Sequence, residues 1–198
     1  YPCGTGNDLS RALGWGGKAT ITTKEELDEF LSLVRTSPII QLDTWNITIK
    51  PTEGEVFGRR MLNYFSIGTD AKIACDFEDF RKAFPGIIQS QLLSKALYVP
   101  ISMQSFLGVQ SLHHYARVFV EEKDGTEIEV FGGHGEKTVV FQSITSIYGG
   151  QDLWHAEDPR TMDDGLFEVV TLGGVVSLGL EQIGLPVSRQ IMQGSKTL

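Results

Sequence analysis

Two glycines, two small polar residues and a carboxylate follow one another at Gly4-Thr5-Gly6-Asn7-Asp8, just ahead of Leu9-Ser10-Arg11. Glycine admits backbone conformations that other residues resist. A glycine turn running into a helix points backbone N–H groups at an anion, which suits a phosphate. Asn7 or Asp8 is placed to cap a short helix over Leu9 to Leu13, and Gly14 to end it. The pattern is not the dinucleotide fingerprint, because Leu9 stands where its third glycine belongs. It is not a P-loop, because no Gly-Lys-Ser/Thr follows. Alone, it is also what a plain capped turn looks like. Such a turn normally follows a strand, and only Tyr1, Pro2 and Cys3 precede it, so the sequence reads as starting inside a domain.

Other residues could carry chemistry further along. Asp163-Asp164-Gly165 sets adjacent carboxylates in a tight turn. Hard oxygen donors of this kind suit Mg²⁺ or Ca²⁺, and a solvated turn is the bland alternative. Tyr148-Gly149-Gly150-Gln151-Asp152-Leu153-Trp154 places paired glycines beside amphipathic rings. Such a loop can line a ligand site, touch lipid, or simply anchor a long connection. Asp70, in Asn63-Tyr64-Phe65-Ser66-Ile67-Gly68-Thr69-Asp70-Ala71, reads first as a helix cap. His113 and His114 read as neighbours in a strand, facing opposite sides, and cannot chelate one ion together. No Gly-x-Ser-x-Gly elbow is present, and neither Cys3 nor Cys75 has metal-ligand spacing.

The elements that position these residues follow from periodicity. Thr23-Lys24-Glu25-Glu26 is a capping box, and Leu27, Phe30, Leu31 and Val34 recur behind it at helical spacing until Ser37-Pro38. Over Ile39 to Lys50, Trp45, Ile47 and Ile49 alternate with polar residues, as in a strand, and Asp43 is out of character there. The polar turn from Pro51 to Gly58 is the candidate domain boundary. Beyond it come a strand at Leu62–Ile67, a helix begun by Asp70 and stopped near Pro85, and a helical stretch over 87–94. A hairpin follows, Tyr115–Glu121 with Glu127–Phe131 around Lys123-Asp124-Gly125. Strands at Thr138–Ile147, Leu166–Leu172 and Val187–Gln193 and a helix at Val175–Gln182 complete the chain. The expected class is α+β: a remnant of an α/β nucleotide-binding domain, then a β-rich, sandwich-like domain with a few helices.

Composition bounds the partners. The 198 residues are 41% hydrophobic and 21% charged, as in globular proteins. A net charge of −8 argues against nucleic acid and against a broadly polybasic membrane face. Arg59, Arg60, Lys72, Arg81, Lys82 and Lys95 still allow a local basic site. Two cysteines make no disulfide framework, which points to a reducing compartment. No apolar run reaches the roughly 20 residues of a spanning helix.

Taken together, several of these segments resemble one family. Gly4-Thr5-Gly6-Asn7-Asp8-Leu9-Ser10-Arg11, with Leu13-Gly14-Trp15-Gly16, is similar to the end of the catalytic domain of eukaryotic diacylglycerol kinases. The stretch Asn63 to Ala71, with Ile73-Ala74, Phe77, Arg81 and Pro85, resembles the start of their accessory domain. Gly149-Gly150-Gln151-Asp152-Leu153-Trp154 is similar to that domain's Gly-Gly-x-Asn-Leu-Trp loop. Asp164-Gly165-Leu166-Phe167-Glu168-Val169-Val170, Gly184-Leu185 and Gln193 resemble its last third. The order and spacing of the blocks agree over nearly the whole chain.

The resemblance implies residues 1–50 as the C-terminal part of the catalytic domain and 51–198 as an accessory domain incomplete at its C-terminus. It implies ATP-dependent phosphorylation of diacylglycerol to phosphatidic acid, with Mg²⁺, in lipid signalling by a cytoplasmic enzyme that works at a membrane surface. It gives Gly4, Thr5, Gly6 and Asn7 a place on the nucleotide side of the cleft and Asp8 a catalytic place among the acids around the metal. Asp43 matches a buried acidic position of that network in related bacterial lipid kinases, and Asp164 matches their structural-metal loop.

Departures from the family pattern bear on activity. The Gly-Gly-Asp-Gly-Thr phosphate loop, expected upstream of Gly4, and the Asp-Gly-Glu segment with the general base, expected after Leu198, are not in these 198 residues. Asp152 stands for the usual Asn and Glu78 for a usual His. The span alone is therefore expected to be inactive. The alternatives are a sphingoid-base or other lipid kinase and a catalytically dead lipid-binding regulatory module. The Leu-Gly-Trp-Gly and Asn-Tyr-Phe-Ser-Ile-Gly blocks favour the diacylglycerol branch.

Overall fold

The structure, a computed structural model, describes residues 1–4, 6–18, 20–50, 53–84, 110–131, 135–155, 160–182 and 185–197. The helical stretch expected over 87–94 lies outside them, as does Thr5. The chain begins with two helices, α1 (Asp8–Ala12) and α2 (Lys24–Thr36). The capping box of α2 forms as its sequence requires: Thr23 Oγ1 accepts from the Glu26 N–H at 3.2 Å, and Glu26 Oε2 accepts from the Thr23 N–H at 3.0 Å. Phe30 meets the edges of Tyr1 and Trp15, each at 5.4 Å between ring centres, and so ties α2 to the N-terminal turn. Leu27, Leu31 and Val34 share the apolar stripe but are exposed.

β1 (Trp45–Ile49) pairs antiparallel with β2 (Phe57–Met61), Trp45 opposite Met61 and Ile49 opposite Phe57. The polar turn after Lys50 thus joins two paired strands. β2 was not expected, since Gly58-Arg59-Arg60 carries no hydrophobic alternation.

β3 (Tyr64–Gly68) leads straight into α3 (Thr69–Ala83). A 3-10 turn at Leu112–His114 precedes β4 (Phe119–Glu121) and β5 (Glu127–Glu129). His113 and His114 therefore lie in that turn, not in a strand, and their rings approach to 4.0 Å instead of facing apart. β6 (Thr138–Gln142), β7 (Phe167–Leu172), α4 (Val175–Gln182), β8 (Arg189–Gly194) and β9 (Lys196–Thr197) follow. β6 stops short of the expected Ile147 because the chain turns away after Gln142, where the Ser143 N–H bonds to the Asn63 carbonyl.

The strands form antiparallel sheets in the orders β3-β6-β7-β8 and β5-β4-β9. Strand alternation gives the larger sheet two apolar faces. On one, Val139, Phe141, Phe167, Val169 and Met192 share a core with Val120 of the smaller sheet, with Val118 and Val130 next to its strands, and with Met61. On the other, Val140, Val170 and Leu172 pack against Ile147, Leu153 and Trp154 of the loop after β6. The class is α+β, and the shared core makes its β-rich part sandwich-like. No described helix is long and apolar enough to cross a membrane.

Candidate active site

Asp8 opens α1 but does not cap it. Asn7 occupies the cap position, in the left-handed conformation (φ 57°), and its side chain makes no capping bond. The Asn7 amide closes the glycine turn instead: Oδ1 accepts from the Gly4 N–H at 2.7 Å, and Nδ2 donates to the carbonyls of Gly4 at 2.9 Å and Gly17 at 3.0 Å. Arg11 Nε donates to the Gly6 carbonyl at 3.0 Å. The turn is therefore held from both sides, and the Gly4 N–H is taken by Asn7.

The Asp8 carboxylate is buried, and its Oδ1 accepts three hydrogen bonds from one distant loop. They come from Ser146 Oγ at 2.8 Å and from the N–H groups of Gly149 at 2.9 Å and Gly150 at 3.1 Å. The other oxygen faces Gly6, where an added Cβ would stand 2.8 Å from it. Gly6 must be small for the turn to lie against both Asp8 and the Gly149 N–H.

The loop that meets Asp8 has a rare backbone. Tyr148, Gly149 and Gly150 take φ values of 53°, 86° and 120° in succession. Main-chain bonds between Ile147 and Gln151, at 2.9 and 2.8 Å, close its base. Tyr148 Oη donates to Asp70 Oδ2 at 2.6 Å. Asp70 is thus not the cap that its position suggests: Gly68 occupies the cap position, and Asp70 sits buried in the first turn of α3. Burial pushes its carboxyl above the usual aspartate range, against the hydrogen bonds from Tyr148, Ser66 and the Ala71 N–H.

Asp43 and Asp164 form a second cluster. Asp43 lies just before β1, where its N–H bonds to the Met162 carbonyl at 2.7 Å and its Oδ2 accepts from the Gly165 N–H at 2.7 Å. Asp164 accepts from the Leu166 N–H at 2.9 Å and the Thr161 N–H at 3.3 Å. Residues far apart in sequence, Asp43 and Asp164, are therefore brought to one turn. Their carboxylates are hard donors of the kind Mg²⁺ takes, one or two at a time, with waters or phosphate oxygens completing the shell. Among the described residues no group of three or more His, Cys, Asp or Glu is arranged around one point. An ion here would depend on these carboxylates plus carbonyls or water.

Three further acids sort differently. Asp152 bonds to the Trp154 N–H at 3.0 Å and pairs with Arg160, an ion pair that asparagine could not make. Glu78 pairs with Arg81 at 2.7 Å on the open face of α3. Glu168 is buried beside Gln193, whose Nε2 donates to it at 3.3 Å, and burial pushes its carboxyl up, against Gln193 and Arg160. Sequence reasoning missed Ser146 altogether. Nothing local marks it, because its partner is 138 residues away.

The family model described as "Diacylglycerol kinase accessory domain" matches residues 60–198, and the chain belongs to that family. Over 98% of its length it is 33% identical to "Diacylglycerol kinase 1" of Arabidopsis thaliana, spanning 28% of that protein. Over the same share it is 35% identical to "Diacylglycerol kinase theta" of Homo sapiens and 32% to the "Eye-specific diacylglycerol kinase" of Drosophila melanogaster. It spans 21% and 14% of those two. No solved structure matches the chain.

Proposed function

We propose that this chain is part of an ATP-dependent diacylglycerol kinase, which transfers the γ-phosphoryl group to the free hydroxyl of diacylglycerol and yields phosphatidic acid for lipid signalling. Residues 1–50 are the end of its catalytic domain and 51–198 its accessory domain. The observation that carries the reading is the family match over 60–198, together with the contact it bears on: the accessory part's glycine loop grips Asp8 of the N-terminal turn. Gly4, Thr5, Gly6 and Asn7 belong to the nucleotide side of the cleft, and Asp8 is the catalytic acid among those around the metal, where its negative charge would help hold Mg²⁺. Asp43 belongs to the acidic network, and Asp164 is a ligand of a structural Mg²⁺. Bound Mg²⁺ would neutralise charge on the phosphates. The enzyme is cytoplasmic and docks peripherally, because diacylglycerol stays in the bilayer.

Phosphoryl transfer depends on positioning and charge stabilisation. A span without the phosphate loop and the Asp-Gly-Glu segment is inactive alone. The full-length protein, given Mg-ATP and mixed micelles, should phosphorylate diacylglycerol in preference to sphingosine. The span alone should show neither turnover nor tight Mg-ATP binding by calorimetry. Sphingosine as the better acceptor would move the protein to a sphingoid-base kinase. A full-length protein that binds lipid without turnover would make it a regulatory module. A low-micromolar dissociation constant for the span would refute its inactivity.

The metal assignment has its own check. A ligand bound only by the native state raises the unfolding midpoint by mass action. Added Mg²⁺ should raise the midpoint of the full-length protein, and Asp164→Asn should abolish that rise and lower activity. Asparagine can still serve a solvated turn. An Asp164→Asn protein with the same midpoint, Mg²⁺ response and activity would show a turn residue and nothing more.

A further inference from the structure

Tyr148 stands in the left-handed region, where a residue with a Cβ is strained by roughly 1–2 kcal/mol. Such a conformation persists only where the surroundings fix it. Here the fixing groups are visible. The Tyr148 ring meets the edge of Tyr64 at 5.9 Å, and its hydroxyl is tied to Asp70 Oδ2 at 2.6 Å. Asp70 is itself set by the sharp passage from β3 into α3, where its N–H approaches Thr138 Oγ1 at 3.4 Å. An ionisable group buried at 7% exposure is costly to keep, and an apolar pair could fill the same space. What an apolar pair could not do is fix the direction of the next two peptide groups. Those peptides are the Gly149 and Gly150 N–H groups that hold Asp8 Oδ1.

We infer that Asp70 and Tyr148 are positioning residues for Asp8: their hydrogen bond locks the left-handed turn that aims the Gly149 and Gly150 N–H groups at its carboxylate. The inference rests on the proposed function for the catalytic value of Asp8. The tether itself does not. The link runs from α3, through a side chain, along a loop backbone, to the N-terminal turn. Ser146 adds a third donor from the same loop, so a loop that drifts loses all three bonds together.

The test has two arms. In the full-length protein, amide hydrogen exchange is followed in Tyr148→Phe, which keeps the ring and removes the hydroxyl. Exchange at Gly149 and Gly150 should quicken at least about tenfold, the loss of about 1.4 kcal/mol of local protection. Val169 and Val170, in the sheet centre, should keep their rates. Exchange unchanged at both glycines would overturn the inference. In the full-length protein, Tyr148→Phe and Asp70→Asn should each lower kcat about tenfold with KM for ATP nearly unchanged. The double variant should be no worse than either, because the two act as one unit. A pair that only supports the core would lower the unfolding midpoint, leave kcat per folded molecule intact and leave the two glycines as protected as before. Quickened glycine exchange with kcat retained would uphold the tether and sink the catalytic task proposed for Asp8. Should Asp70→Asn fail to fold, the hydroxyl deletion still reads both arms.

Discussion

Asp8→Asn in the full-length protein should lower kcat by at least about 100-fold while leaving the unfolding midpoint within a few degrees of wild type. Asp8→Ala should lower both. The two variants separate the fastening that Oδ1 makes from the catalytic charge proposed for Asp8. Oδ1 is saturated by Ser146 and by the Gly149 and Gly150 N–H groups, and so fastens the N-terminal turn to the glycine loop. An asparagine oxygen accepts from the same three donors, so the fastening survives in Asp8→Asn. Alanine leaves all three donors without their acceptor. An unsatisfied buried donor costs about 1–3 kcal/mol, more than a helix cap is worth, so Asp8→Ala is a stability variant as well. What asparagine removes is the charge on the side facing Gly6, on the proposed nucleotide wall. A carboxylate repels phosphate oxygens, so this charge would act by helping to hold the Mg²⁺ that neutralises them, a stabilisation worth several kcal/mol. Kinase turnover and thermal unfolding on both variants make the measurement. An Asp8→Asn protein that folds and keeps more than about half of wild-type turnover would show that Asp8 is a structural anchor only.

Much of the scaffold was legible because its causes are local. The Thr23–Glu26 box, the alternation at Trp45, Ile47 and Ile49, and the hairpin at Asp124-Gly125 each depend on residues within a few positions. Asp124 Oδ1, for example, accepts from the Thr126 N–H at 2.8 Å and closes its own turn. The glycine motif was legible as a motif, but its wiring was not. Asn7 and Asp70 have cap-forming side chains at helix starts, and local propensity assigns them that task. Asn7 bonds to Gly4 and Gly17 instead, and Asp70 takes the distant Tyr148 besides its neighbours Ser66 and Ala71. Gly17 and Tyr148 are the remote partners among these, and no short window of neighbouring residues contains them. β2 was hidden for the same reason: Gly58-Arg59-Arg60 is a strand because β1 lies beside it, not because its own pattern demands one. The meeting of Asp43 with the Asp164 turn depends on long-range register, which only the fold supplies.

Gly68→Ala should lower stability by about 3 kcal/mol or more, a large loss for a single added methyl. Gly68 ends β3, caps α3 and takes φ 114° with ψ −142°, a conformation that residues with a Cβ rarely enter. A Cβ built there would fall 2.1 Å from the Lys137 carbonyl oxygen and 3.0 Å from its carbon. These are backbone atoms just ahead of β6, and they cannot swing aside as a side-chain tip can. The same carbonyl accepts from the Thr69 N–H at 2.9 Å and from Thr69 Oγ1 at 3.2 Å, so moving it breaks the junction that starts α3. For a chain of this size 1 kcal/mol corresponds to roughly 2–4 °C, and the midpoint should fall by about 6–12 °C. Gly125→Ala is the internal comparison. It has the same sign of φ, 85°, with open space around the added methyl, so it pays conformational strain without collision and should lose far less. Thermal unfolding of the two variants side by side measures the difference. Equal midpoints would mean that the β3–α3 passage can open without cost, and would remove the rigid seat from which Asp70 holds Tyr148.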